Sequence, residues 1–495
     1  MAFKVNKVVI ALCAVLFLIS LLIILRVYNV EGLNWDFVDL YLNAKTFLNP
    51  SFYQQHLPVN LTEIAFFNGN YYPITPRYLI TTSHVYFSIV REPLVSVILA
   101  LLIALFSTYS VQVYLALLML FLLLSSFFVS KELNINPLIL ASLLFAPYVI
   151  RWTVLYTSQE VLSLCLALIA VGLISKKSSW TGAVIALVGL TKYPGLILLP
   201  LLFLLLDHQD MKKSGMKVAK AFGLFAIVTL PWLLFNYIYF GNPLISYQAS
   251  FGEAVSNGTS AGSLSLLGAI ASVPSLMLYP LIILLVGIAL LIKFGRIKLD
   301  MPGIRSAILG LSYRYKIVLC YTILSIIGFI ALYSNVGTPE RFAYLLYGGF
   351  AMLAALAIES AGIYLKDWID MVPYAICSIS ILLLLLLYIS VIPSNYSTWF
   401  GNTTTNNVDV KEAAAYINKT YGQCPVVSNA WPLLNYYGVV AYESDDYCTV
   451  QQHNYPAVLF KFVGPALYCG NGLNPGGFPP GDTYLIIKNN TSPAC

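Results

Sequence analysis

The chain predicts an all-α polytopic membrane bundle followed by a small polar α/β domain. Three observations carry that expectation. It has 495 residues, of which 59% are hydrophobic and only 10% charged, and its mean hydropathy is +0.80, whereas an ordinary soluble domain is about 25% charged. Apolar runs recur from Val8 to residue 392, many near the roughly 20 residues a helix needs to cross a bilayer. Beyond residue 394 that pattern stops, and Cys424, Cys448, Cys469 and Cys495 all fall in this polar segment. The net charge of +6 comes from basic residues in short loops, which form no continuous patch of the kind nucleic acid needs.

The first run, Val8–Leu25, is flanked by Arg26 and lacks a small-residue cleavage site, so it reads as a retained helix and not a signal peptide. Apolar periodicity then places spans at 8–25, 74–90, 93–108, 110–130, 136–150, 154–175, 179–191, 194–207, 217–238, 264–292, 316–333, 343–365 and 371–392, about thirteen helices. Tight outer turns are expected at Ser107–Ser110 and Thr191–Tyr193. The span 74–90 contains Pro76, Arg77 and His84 and is included for parity: without it, Asn60 goes inside or Lys131 outside.

Three topogenic signals agree on an N-terminus inside and a C-terminus outside. Lysines at 4, 7, 131, 176, 177, 212–220, 293–316 and 366 mark the inner loops. The sequons at Asn60, Asn257, Asn395, Asn402, Asn418 and the overlapping Asn489/Asn490 mark the outer ones, because a sequon is glycosylated only on the outer or lumenal face. The four tail cysteines suit two disulfides on an oxidising side. Their separations of 24, 21 and 26 residues do not match a zinc site. Cys13, Cys165, Cys320 and Cys377 lie inside apolar runs and read as small buried hydrophobes.

This divides the chain into a membrane domain at 1–393 with an outer loop at 26–73, a sequon-rich linker at 394–407, and an extracytoplasmic domain at 408–495. In the last, Asp409–Tyr421 and Trp431–Tyr437 read as helices, and Pro425–Ser428, Val439–Tyr442 and Tyr484–Lys488 as strands. About 100 residues is small but sufficient for a domain.

The chemistry-bearing residues lie close to the spans. Asp36 and Asp39, in Trp35-Asp36-Phe37-Val38-Asp39-Leu40-Tyr41, follow the first span. On a helix they share a face; on a strand they oppose one another. One is a candidate general base for an acceptor hydroxyl; alternatively the pair caps a short helix running to Leu48. Lys192 sits in Gly189-Leu190-Thr191-Lys192-Tyr193-Pro194-Gly195, at a turn where positive charge is disfavoured. A lysine there needs a partner or a polar cavity, which makes it a candidate for a lipid-linked phosphate; the alternative is a stem that snorkels to the interface. Arg341, in Thr338-Pro339-Glu340-Arg341-Phe342, suits bidentate phosphate contact, or a local pair with Glu340. Arg151 and Glu160 at another outer turn, and Arg77 and His84 in the second span, are further candidates to line a polar cavity. The chain has no GxxxxGK[ST], HExxH or GxSxG, which removes nucleotide motors, zincins and serine hydrolases from consideration. Four scattered histidines offer no metal-ligand cluster.

The long first outer loop opening on Asp36-Phe37 and followed by Asn43-Ala44-Lys45 resembles the multispanning GT-C glycosyltransferases. Within them it is similar to the polyprenyl-phosphate-dependent mannosyltransferases and the protein-mannosyltransferase and aminoarabinose-transferase group. Gly189–Gly195, Pro231-Trp232 with Asn236, Phe240-Gly241-Asn242-Pro243, Pro339-Glu340-Arg341-Phe342 and Val426-Val427-Ser428-Asn429-Ala430-Trp431-Pro432 resemble further stretches of those families. The resemblance implies an inverting transfer of one sugar, a hexose such as mannose, from a polyprenyl (dolichyl) phosphate to a lipid-linked glycan or glycoprotein. It assigns Asp36 as base with Asp39 as alternative, implies donor-phosphate contacts by Lys192 and Arg341, and requires no metal or other cofactor. The first-loop acids read Asp-x-x-Asp where the protein mannosyltransferases have Asp-Glu, and the Trp-Trp-Asp-x-Gly of oligosaccharyltransferases is missing. The expected location is a plasma membrane with the site facing outward, as in archaeal surface glycosylation, or the ER lumen in a eukaryote. The competing reading is a non-enzymatic carrier of lipid-linked sugars, or a scaffold for a glycosylated outer domain.

Overall fold

The computed structural model describes residues 7–31, 35–49, 78–80, 86–88, 91–155, 159–207, 209–248, 250, 277–293, 312–333, 343–362 and 371–390, and in the C-terminal segment 414–419, 426–428, 434, 437–439, 441–443, 458–461 and 485–488. The membrane part is helical: α1 (Lys7–Glu31), α2 (Trp35–Leu48), α3 (Pro93–Phe106), α4 (Ser110–Leu133), α5 (Pro137–Leu144), α6 (Pro147–Leu155), α7 (Gln159–Ser175), α8 (Thr181–Thr191), a 3-10 helix at Tyr193–Leu205, α9 (Met211–Phe240), α10 (Leu278–Lys293), α11 (Tyr313–Tyr333), α12 (Tyr344–Gly362) and α13 (Val372–Ser390).

Proline and capping residues set the boundaries. Pro93, Pro137 and Pro147 each stand at the first position of a helix, where the missing N–H costs nothing and φ is already helical. Pro147 thereby splits the expected span 136–150 into α5 and α6. Asn136 caps α5 by accepting from the Leu138 N–H at 2.9 Å, and Asp210 caps α9 by accepting from Lys213 N–H at 3.1 Å. Pro194 and Pro200 lie within the Tyr193–Leu205 segment, and it winds as a 3-10 helix, which is rarely this long.

Among the described residues, six helical stretches are long and apolar enough to cross a membrane, Lys7–Val27, Pro93–Leu133, Met211–Ile238, Tyr313–Ile330, Tyr344–Ala361 and Val372–Ile389, with shorter apolar helices at Gln159–Ser175, Thr181–Thr191, Tyr193–Leu205 and Leu278–Lys293. The chain is an integral membrane protein. One buried hydrophobic cluster runs through α1–α13. Lipid leaves no water to satisfy polar groups, and some of the bundle's hydroxyls bond across helices. Ser380 on α13 donates to the Ser142 carbonyl at 3.0 Å and meets the Tyr279 hydroxyl at 2.7 Å; Tyr347 donates to the Leu143 carbonyl at 2.9 Å.

The expected path needs correction between 74 and 108. The described residues of 74–90 are strands, β1 (Tyr78–Ile80) and β2 (Tyr86–Ser88), paired antiparallel, and not a helix. The stretch is rich in Tyr, Thr, Ile and Phe, which favour extended pairing, and three residues of strand reach about 10 Å, far short of a bilayer. The span 93–108 changes role as well. Leu94 and Ile98 of α3 share one recess with Leu117, Phe121 and Leu124 of α4, so α3 folds back along the first half of α4 after the 3-10 turn Ser107–Tyr109. Its start is held by Glu92 at the Gln159 end of α7, and its end meets the end of α4 away from Glu132, which pairs with Lys176 past the other end of α7, so α3 begins and ends toward the same end of the bundle. Withdrawing both from the thirteen expected spans leaves eleven, each with helix among the described residues. Losing two crossings preserves parity between the first loop and Lys131.

In the C-terminal segment a helix occupies 414–419, inside the expected Asp409–Tyr421. Four strands, β3 (Val426–Ser428), β4 (Ala441–Glu443), β5 (Val458–Lys461) and β6 (Leu485–Lys488), form a sheet in the order β4-β3-β5-β6. β3 is parallel to β4 and β5, and β6 is antiparallel to β5. β5 was not expected. Cys424, Cys448, Cys469 and Cys495 lie outside the described residues, as do Asn60, Asn257, Asn395, Asn402 and Asn490. Asn418 is exposed on the 414–419 helix.

Candidate functional site

One end of α7 begins with Gln159-Glu160, and the other leads into Lys176-Lys177. A helix of 17 residues separates them by about 25 Å. The lysine end is held by Lys176–Glu132 at 3.0 Å and Lys177–Asp207 at 2.5 Å, pairs with partly exposed partners. At the opposite end lies a buried polar cluster, and there the separately spaced candidates of the sequence meet.

α2 supplies the first-loop acids. The segment is helical, so Asp36 and Asp39 stand one turn apart on one side of α2. The Asp36 side chain lies outside the described atoms. Asp39 is 3% exposed and accepts from Arg91: Nε lies 3.0 Å from Oδ2, and Nη2 lies 3.0 Å from the same oxygen. Glu92, the next residue, turns the other way. Its Oε1 accepts from the Tyr193 backbone N–H at 3.1 Å and its Oε2 from Gln159 Nε2 at 3.2 Å. Burial pushes the Glu92 carboxyl above its ordinary range, while the Lys192 charge and the Tyr193 N–H pull it back down.

Lys192 breaks the chain between α8 and the 3-10 helix in an extended conformation, φ −158°, ψ 116°. Its ammonium is paired with Glu160 Oε1, the two side chains being 5% and 0% exposed, and it lies 6.0 Å from the centroid of the Tyr344 ring, within cation–π range. The lysine thus has the partner that its placement demands. α9 closes the side. Trp232 Nε1 donates to the Tyr193 hydroxyl at 3.2 Å, the Tyr193 and Tyr247 rings lie 4.1 Å apart, and Trp232 stacks on Phe235 at 5.1 Å. Phe235 meets Phe47 of α2 edge-on at 6.0 Å. Asn236 accepts from Ser246 at 3.1 Å and donates to the Pro243 carbonyl at 3.3 Å, folding 242–248 back over α9.

Next to these polar groups is an apolar recess of about 410 Å³ lined by α3, α4, α7 and α8, including Leu94, Leu162 and Leu187. Leu94 stands two residues past Glu92, and Leu162 two past Glu160. Leu117, Leu120 and Leu124 of its lining are strongly exposed, so it opens outward from the bundle.

The structure therefore brings Asp39, Glu160 and Lys192 to one end with the Trp232 and Asn236 region. Arg151 lies on α6, its side chain outside the described atoms; Arg77, His84 and Arg341 lie outside the described residues. Sequence reasoning missed Arg91, Glu92 and Gln159. The usable signal was Arg91-Glu92-Pro93, two charges immediately before an apolar helix. Among the described residues no group of three His, Cys, Asp or Glu side chains could hold a common metal ion, and Asp39 and Glu160 are each engaged by a cation.

No protein-family model and no curated protein matches the chain. Among solved structures it is similar to the crystal structure of the Archaeoglobus fulgidus oligosaccharyltransferase, a complex with zinc and sulfate: TM-score 0.52 at 13% identity, covering 91% of this chain and 68% of that one. The two chains share a fold.

Proposed function

We propose that this chain is an inverting, metal-independent glycosyltransferase. It moves one hexose, such as mannose, from a polyprenyl-phosphate carrier to a lipid-linked glycan or glycoprotein. The observation that carries the reading is the buried polar cluster on the GT-C-type bundle, set beside an apolar recess. Headgroup chemistry and a hydrocarbon tail are thereby accommodated side by side. On the positive-inside rule the cluster faces outward, because the lysine end of α7 is the inner one.

Asp36 is the proposed base. Asp39 shares its helix, but its Oδ2 already receives two guanidinium N–H groups, which leaves it a poor proton acceptor. The acceptor hydroxyl oxygen attacks the anomeric carbon, its proton passes to the Asp36 carboxylate, and the carbon–oxygen bond to phosphate breaks, the electron pair leaving with the polyprenyl phosphate. A phosphate held by cations departs without a general acid. A lysine ammonium has three donors, so its pair with Glu160 is compatible with Lys192 contacting that phosphate. Arg341, Arg151, Arg77 and His84 are further proposed phosphate contacts. The tail domain is proposed to be glycosylated and stapled by two disulfides among its four cysteines.

The test is transfer in proteoliposomes with labelled polyprenyl-phosphate mannose or glucose and a lipid-glycan acceptor extract. Wild type should transfer, Asp36→Asn should not, and Asp39→Asn should retain part of the activity. Loss confined to Asp39→Asn moves the base; no transfer by wild type with either donor favours the carrier or scaffold.

A further inference from the structure

Arg91 and Glu92 are consecutive, 7% and 6% exposed, and engage opposite halves of the cluster. The cause is Pro93. A proline restricts the residue before it to extended backbone, and Glu92 adopts φ −69°, ψ 144°. Neighbouring side chains on extended backbone point apart. Arg91 thus reaches back to Asp39 on α2, while Glu92 reaches forward to Gln159 on α7 and to the Tyr193 N–H just past Lys192. Both are anchored at the start of a rigid helix, and α3 packs along α2.

We infer that Arg91 and Glu92 are positioning residues that join the first-loop helix to the Lys192 turn, so that the proposed base and the proposed phosphate contact are held in one frame. The inference rests on the transferase reading for its catalytic consequence but not for its mechanical one. Arg91 sets the seat of α2, and with it Asp36 one turn from Asp39. Glu92 sets the backbone at Tyr193 and, through its charge, the field at Lys192. Because a single proline-locked dipeptide carries both contacts, loosening either one loosens the other.

Two readouts on the full chain in lipid nanodiscs test this. The first is amide hydrogen exchange, which needs no substrate. Arg91→Lys, which keeps the charge but cannot place two N–H groups on Oδ2, should raise exchange by about tenfold or more at Tyr41–Thr46, the span beside Asp39, and also at Lys192–Tyr193. Glu92→Gln should raise it at the same two places. Changes confined to each residue's own side would overturn the inference. The second is transfer kinetics. Displacing a reacting group by about 1 Å costs on the order of a hundredfold, so Arg91→Lys should lower kcat by roughly ten- to a hundredfold with donor KM unchanged, while Glu92→Gln should act mainly by raising donor KM. In Asp39→Asn/Arg91→Gln, fold and exchange protection should recover relative to Arg91→Gln alone, since the buried carboxylate is gone; no recovery would count against the pair. A wild type that transfers nothing overturns the transferase reading while exchange still decides the coupling. Transfer with normal kinetics and exchange in both variants overturns the coupling alone.

Discussion

Lys192 and Glu160 form an ion pair whose side chains are 5% and 0% exposed, and this permits a quantitative prediction. Removing one member of a buried pair leaves an uncompensated charge, at a cost of roughly 3–5 kcal/mol. At about 1.4 kcal/mol per factor of ten, the folded-to-unfolded ratio should drop on the order of a hundred- to several-thousandfold. The two single substitutions should not be equal. Lys192→Met deprives Glu160 of its ammonium and also removes the charge that steadies the Glu92 carboxyl, whereas Glu160→Gln leaves Lys192 with Glu92 as a neighbouring anion. Lys192→Met should therefore be the worse. Replacing both, as Lys192→Met/Glu160→Leu, removes both charges and should return stability to within about 1 kcal/mol of wild type or raise it. Titrating a denaturing detergent into protein held in mild micelles measures the order. A double variant as unstable as the sum of the singles, or Glu160→Gln worse than Lys192→Met, would refute the reasoning. If Lys192 also holds the donor phosphate, the stable double variant should be inactive, which separates the role in folding from the role in transfer.

Other tests follow from the same geometry. Glu92 has its carboxyl raised above the ordinary 4.5 by burial, so the folded state binds that proton more tightly than the unfolded one. Its contribution is then full below the ordinary value and is lost as pH rises through the raised one; Glu92→Gln should flatten that limb of a melting-temperature profile. A Cβ on Gly182 would lie 1.8 Å from the Ala221 carbonyl oxygen of α9, whereas one on Gly172 would first meet the Phe128 ring, at 2.5 Å. Gly182→Ala should accordingly cut the yield of monodisperse protein far more than Gly172→Ala, as size-exclusion chromatography reads it. Trp232→Phe keeps the ring stack on Phe235 but deletes the donor to Tyr193, and should cost about 1 kcal/mol in the same detergent titration.

The helices were legible because their signals are local. The first apolar helix, the short helix ending at Leu48, the turn at Ser107–Ser110 and the break at Lys192 all follow from apolar runs, prolines and charges within a few residues. The failure at 74–108 came from treating apolar length as proof of crossing. Residues 93–106 are apolar enough to span, yet their start is tied by Arg91 to a helix 52 residues earlier in the chain. Long-range ion pairs of that kind leave no periodicity, and a parity argument that needs one extra crossing is satisfied equally well by one fewer.

The site was half legible for a related reason. Lys192 attracted attention because a cation at that turn is expensive without a partner, and the partner is Glu160, 32 residues away. Arg91 and Glu92 drew none, because charged residues before a helix read as ordinary flanks. What distinguishes them is the proline that follows, which forces their side chains apart, together with burial that only the assembled bundle supplies. The consequence is an electrostatic one. Asp39 and Glu160 are each matched by a cation, while Glu92 is met by an amide and a backbone N–H and only faces the cations at a distance. If donor phosphate were to arrive beside Lys192, the nearest acid would be Glu160, already paired with that ammonium, and Glu92, held by an amide and a backbone N–H, is the acid whose carboxyl burial raises. A cluster arranged this way can admit an anion with less repulsion than its count of acids suggests.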